Sequence, residues 1–191
     1  MNEPGGRSRY VDPEQGERIG AEVLAHGLPA LPDLTYQMSV PVAYWTAGRC
    51  AVVLFLHFRE FGGEVMPMVG MRTFSGEGDR WSPHRRWSST GWSHDPIAEP
   101  GGLRDLDGGV IAGGSGMRTH GQPKPGYPAS VVVGRVAPVV KQIALIQDGR
   151  EDRRRLESHF GAWVVCTERT SAYQVAALDA NGMVLDSIEG I

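Results

Sequence analysis

The sequence predicts a mainly β protein, an antiparallel β-sandwich with one amino-terminal α-helix. Three observations point there. After residue 128, short apolar runs recur about every 8–12 residues with turn signals between them, the spacing of sandwich strands. The 191 residues include 26 glycines and 13 prolines, which suits short strands joined by many turns. Cys50–Phe58 is apolar on both faces, with Val52, Leu54 and Leu56 alternating against Val53 and Phe55. A strand of that kind is central and covered on both sides.

The helix comes first. Asp12 suits the N-cap, Pro13 the first helical position and Gln15 the capping-box position. Ile19, Val23 and His26 fall on one face beside Leu24, and Gly27 is a natural stop. Gly16 and Gly20 weaken this helix, and it is the expected cover for one face of Cys50–Phe58. Strands are then expected at Thr35–Val40, Ala43–Thr46, Cys50–Phe58 and Val65–Phe74. Ala47-Gly48-Arg49 and Phe61-Gly62-Gly63-Glu64 read as the hairpin turns among them.

Residues 75–107 change character, being rich in Gly, Ser, Pro and Trp. Arg80–Trp87 is compatible with a strand, Thr90–Asp107 with a long ordered loop, and Gly108–Met117 with a glycine-rich or bulged strand. Thr119–Pro128, with three prolines, reads as a linker or crossing loop. Strands follow at Ala129–Val136, Val139–Gln147, Arg150–Glu157, Phe160–Thr167, Ala172–Asp179 and Met183–Ile188. Gln147-Asp148-Gly149-Arg150 and Ala180-Asn181-Gly182-Met183 are tight turns, because Asp-Gly and Asn-Gly accept positive φ.

Within residues 129–188, Val133-Gly134-Arg135-Val136-Ala137-Pro138 is followed by Ile143 to Gly149 and by Val175 to Gly182. That order of a Gly-x-x-Ala-Pro opening, an Asp-Gly hairpin, an aromatic strand and a closing Asn-Gly pair resembles the small immunoglobulin-like β-sandwich modules of uncharacterised actinobacterial proteins. The resemblance implies a fold for this third of the chain and no activity. The Cys–Trp–Cys pattern of true immunoglobulin domains is absent. The expected organisation is a helix-covered sheet over residues 12–118 and a sandwich over 129–188, with one merged β-rich domain over 12–188 as the alternative.

The formal charge of −3 gives no electrostatic reason for a nucleic-acid partner. Lys124 and Lys141 are the only lysines among 19 cationic residues, a bias that reads as G+C-rich codon usage. No stretch suits a membrane span, and Met1 to Tyr10 holds no apolar core of a signal peptide, so no membrane association and a cytoplasmic location are expected. Cys50 and Cys166 lie in apolar runs and read as two buried free thiols. Two cysteines alone make no four-ligand zinc site, and neither a metal nor a cofactor is expected.

Hints of chemistry fail at identifiable places. Gly108–Ser115 approaches a phosphate loop, but Gly114 stands where the lysine belongs and no helix-forming run follows. Ser115 has Gly113 before it but Met117 where a nucleophile elbow needs its second glycine. His94 beside Asp95 is the one candidate catalytic pair; Asp95-Pro96 reads more simply as a turn initiator. Trp81, Arg85, Arg86, Trp87 and Trp92 are residue types enriched at protein interfaces, displayed on what reads as a long loop.

The function expected from these residues is therefore non-enzymatic protein binding or assembly, with a protein partner or self-association. The alternatives are a small enzyme or ligand-binding protein using the Gly-rich stretch 108–116 with His94 and Asp95, and an immunity or regulatory protein.

Overall fold

The computed structural model describes residues 13–78, 80–92, 95–98, 109–119 and 123–190. Among these residues helix α1 spans Pro13–His26 and is followed by eleven strands. These are β1 (Val40–Ala47), β2 (Cys50–Phe61), β3 (Glu64–Glu77), β4 (Arg80–Gly91), β5 (Ile111–Arg118), β6 (Ser130–Val136), β7 (Gln142–Gln147), β8 (Arg150–Arg155), β9 (Ala162–Thr167), β10 (Tyr173–Leu178) and β11 (Val184–Gly190). They form three antiparallel sheets, ordered β1-β2-β3-β4, β5-β6-β9 and β11-β10-β7-β8. The mainly β, antiparallel class with one amino-terminal helix is thus what the chain adopts.

Strand β2 shows why. Its side chains alternate between faces, as in any strand. Cys50, Val52, Leu54, Leu56 and Phe58 join the largest core cluster, together with Val131 and Val132 of β6, Trp163 to Cys166 of β9, and Ile143 and Val175 of the third sheet. Ala51, Val53 and Phe55 face the other way and pack with Phe74 under Val23, Ile19 and Leu24 of the helix. Both covers expected for this strand are present, and α1 is one of them.

Gly20 of the helix has a packing reason. Gly16 and Gly20 are buried, and a Cβ on Gly20 would strike the Phe74 ring. The helix gives up propensity there to lie close against the sheet. Arg72, buried on β3, reaches Glu17 of the helix at 3.0 Å. Asp12, the expected N-cap, lies outside the described residues.

The hairpins follow the turn residues. Gly48, Gly62 and Gly63 have positive φ. Asp148 (φ 52°) and Gly149 (φ 70°) both take the left-handed conformation that joins β7 to β8 with a two-residue turn. Asp179 closes the Asn181-Gly182 turn, its carboxylate accepting the N–H groups of Asn181 and Met183 at 2.8 Å.

Two expectations need correction. Thr35–Val40 is not a strand: β1 begins at Val40, and Met38 N–H closes a turn on the Thr35 carbonyl at 3.0 Å. Tyr36 is used there instead to place its ring edge-on to Phe58, 5.0 Å away. Thr90–Asp107 does not begin as a loop, because β4 runs on to Gly91, paired with Met68 of β3. Residues 93–94 and 99–107 of that span lie outside the described residues. β5, from the first expected unit, pairs along its length with β6 of the second, and β9 packs against β1 and β2.

Candidate interaction surface

The sequence-chosen residues separate in space. Trp92 is in the core at 8% exposure, with the Arg135 guanidinium 4.7 Å from its ring centre, so it is not displayed on a surface. Trp81, on β4, is partly buried against the cluster under the helix. Arg85, Arg86 and Trp87 are also on β4 and not in a loop, with Trp87 opposite Arg72; their side chains lie outside the described part of the structure. The expectation of a loop displaying tryptophans is corrected in that respect: β4 turns at least Trp81 inward, and large aromatic surfaces are buried where a core can take them.

His94 lies outside the described residues. Asp95 is engaged as a turn cap. Its Oδ1 accepts the N–H groups of Ile97 and Ala98 at 2.9 and 3.3 Å, and its Oδ2 accepts the Tyr36 hydroxyl at 2.9 Å. That carboxylate, by accepting the phenol proton, raises the Tyr36 pKa. The turn-initiator reading of Asp95-Pro96 describes this geometry.

The Gly-rich stretch is strand β5, and its glycines answer to Trp163. Gly113 pairs with Gly134 of β6, and a Cβ on either would strike the Trp163 indole. The indole N–H donates to the Ala112 carbonyl at 3.2 Å. Close approach of a buried ring to a sheet backbone is what strand glycines permit. A cleft of about 260 Å³ lies beside this strand, lined by Gly113, Gly114, Arg118, Tyr173 and Glu189 among others. A second, of about 170 Å³, lies between β1, β8 and β9. There Tyr44 donates to Glu157 at 2.9 Å, and burial together with that carboxylate raises the tyrosine pKa. Arg154 donates to the Thr46 hydroxyl and carbonyl at 2.9 and 2.6 Å and to Asp152 at 2.6 and 3.0 Å. The polar groups of this second cleft bind one another and stitch β8 to β1. Asp95 lines neither cleft. Among the described residues no cluster of His, Cys, Asp and Glu could hold a metal ion, and no helix is long and apolar enough to cross a membrane.

One feature lies apart from both clefts. β1 accompanies β2 only as far as Leu56, which pairs with Val40, and β4 accompanies β3 only from Met68, which pairs with Gly91. Beyond that point no other described strand pairs with β2 or β3, which continue through the pairs Arg59–Met66, Glu60–Val65 and Phe61–Glu64. Phe61, Val65 and Met66 are 43%, 42% and 41% exposed. Strand alternation puts Arg59, Phe61 and Met66 on one face of this arm, the face that α1 covers further along β2. The Arg59 guanidinium lies 4.5 Å from the centre of the Phe61 ring.

The sequence held a signal for the arm that went unread. The apolar run of β2 ends at Phe58, whereas the turn is at Gly62-Gly63, so the hairpin outlasts its core by three residues on that side. No family model, curated protein or solved structure matches the chain.

Proposed function

We propose that the chain is a non-enzymatic binding or assembly module that contacts a protein partner, a second copy included, through the β2–β3 arm. The observation supporting this is the arm's extension past its neighbouring described strands with Phe61 and Met66 exposed on one face. An isolated two-stranded ribbon gains little stability by itself. Exposed aromatic and thioether groups on such a ribbon favour a contact surface. The β4 residues Arg85, Arg86 and Trp87 belong to the same proposal as an adjoining edge, since no described strand pairs with the outer side of β4.

A photo-crosslinking amino acid at position 61, compared with one at Val139, which is no less exposed, tests it in the native host and with purified protein. The expected result is a discrete cross-linked partner, or a cross-linked dimer, from position 61 alone. The double variant Phe61→Ser, Met66→Ser keeps the parental circular dichroism and loses that contact. Equal cross-linking from the two positions, or none from either, overturns the proposal.

A further inference from the structure

Cys50 is the first residue of β2 and Cys166 the penultimate residue of β9, so the two thiols come from different sheets, 116 positions apart in the chain. Their sulfurs are 3.6 Å apart. We propose that Cys50 and Cys166 form a redox-modification site, at which a peroxide closes one intramolecular disulfide and bolts sheet β1-β2-β3-β4 to sheet β5-β6-β9.

A disulfide bond is about 2 Å long, so the sulfurs must approach by roughly a further 1.5 Å. Rotation of the side chains with a small shift of the strand ends supplies that movement. The chemistry needs two electrons. One sulfur, as thiolate, attacks a peroxide oxygen; the O–O bond breaks, a sulfenic acid forms, and the departing hydroxide takes up the thiol proton as water. The second sulfur attacks the sulfenic sulfur, the S–S bond forms, and the S–O bond breaks. That hydroxide leaves with the second thiol proton as another water. The two sulfurs have lost two electrons and the peroxide has gained them.

Access is through the strand ends. Both thiols are buried, at 0% and 1% exposure, and burial beside Cys50 pushes the Cys166 thiol well up, so thiolate is scarce while this end is closed. Cys50 follows the exposed Gly48-Arg49 turn, and the Arg49 backbone N–H donates to the Glu168 carboxylate, two residues past Cys166, at 3.0 Å. That contact ties the two strand ends to each other, beside the Gly76 N–H on the Arg49 carbonyl and the Ala129 N–H on the Thr167 carbonyl, and its opening helps set the pace of oxidation.

The test treats the reduced full chain with hydrogen peroxide, alkylates it after denaturation and maps peptides without reductant. The expected product is a monomer in which the Cys50 and Cys166 peptides are joined, lighter by two hydrogens and with a higher Tm, all reversed by dithiothreitol. Glu168→Ala reaches the same product several-fold faster. Two alkylated thiols after a treatment that fully oxidises glutathione, or a link found only between chains, overturns the site. A parental rate in Glu168→Ala overturns the gate. Cys166→Ser should give no intramolecular link; should that variant fail to fold, the parental peptide map decides.

Discussion

The Arg154 guanidinium lies 4.2 Å from the centre of the Trp45 ring, joining the edge strand β8 of one sheet to the edge strand β1 of another. The same group donates to the Thr46 carbonyl and hydroxyl and pairs with Asp152. Arg154→Ala is expected to lower unfolding stability by about 1–3 kcal/mol, through the lost charged hydrogen bonds and ring contact. Arg154→Lys recovers only part of this, because an ammonium cannot reproduce the planar fork. Urea titration with an unchanged m-value is the measurement, and an Arg154→Ala midpoint equal to the parent's would remove the clamp.

Gly134 and Gly114 should behave oppositely. A Cβ on Gly134 would strike the Ala112 carbonyl as well as the Trp163 ring, and neither backbone nor buried indole can retreat cheaply. Gly134→Ala is expected to cost ~2 kcal/mol or more. A Cβ on Gly114 would meet nothing, so Gly114→Ala should stay within about 0.5 kcal/mol of the parent. Thermal unfolding of the two variants side by side distinguishes a packing role for the glycines from a ligand role, which would spare the stability of both.

His57 and His84 make stability fall with acid. Burial lowers the pKa of both, the Phe55 backbone partly opposing it at His57. The unfolded chain therefore binds more protons than the folded one between each lowered folded value and the ordinary value near 6.5. The histidine contribution is complete above about pH 6.5 and is lost progressively as pH falls through the window beneath. His84 stacks on Tyr127 with ring centres 3.7 Å apart and shares a hydrogen bond with Thr73 at 3.0 Å. His84→Phe keeps a ring there and should flatten the slope between pH 7 and pH 5 without abolishing it, since His57 remains. Chemical denaturation across that range reads the slope, and an unaltered one would exclude His84.

Asp95 as a turn cap makes a spectroscopic prediction. Asp95→Ala leaves Tyr36 without its acceptor, so the Tyr36 pKa should fall back towards its ordinary value. Ultraviolet titration of tyrosinate, as a difference against the parent, detects one tyrosine moving. A difference trace that is flat would break the Tyr36–Asp95 link.

Local chemistry explains which features could be read from residues alone. Asp148-Gly149 and Asn181-Gly182 announced their turns because the tolerance for positive φ, used at Asp148, Gly149 and Gly182, is a property of the residue itself. The two-sided burial of β2 was legible because alternation needs no partner to be counted. Trp92 was not, since whether a tryptophan near a strand end points inward depends on a register set by β3, many residues away. The approach of Cys50 to Cys166 was hidden for the same reason. The arm depends on a difference in length between neighbouring strands, and no single segment contains that information.

The topology also sets an order of events during synthesis. The first sheet is a simple meander, complete once Gly91 has emerged. The strand that packs on its inner face, β9, is finished only at Thr167. At roughly 5–20 residues per second a nascent chain holds Val52, Leu54 and Leu56 uncovered for several seconds. During that interval, with the chain still on the ribosome, the inner face of the first sheet is without the strand that covers it in the finished fold.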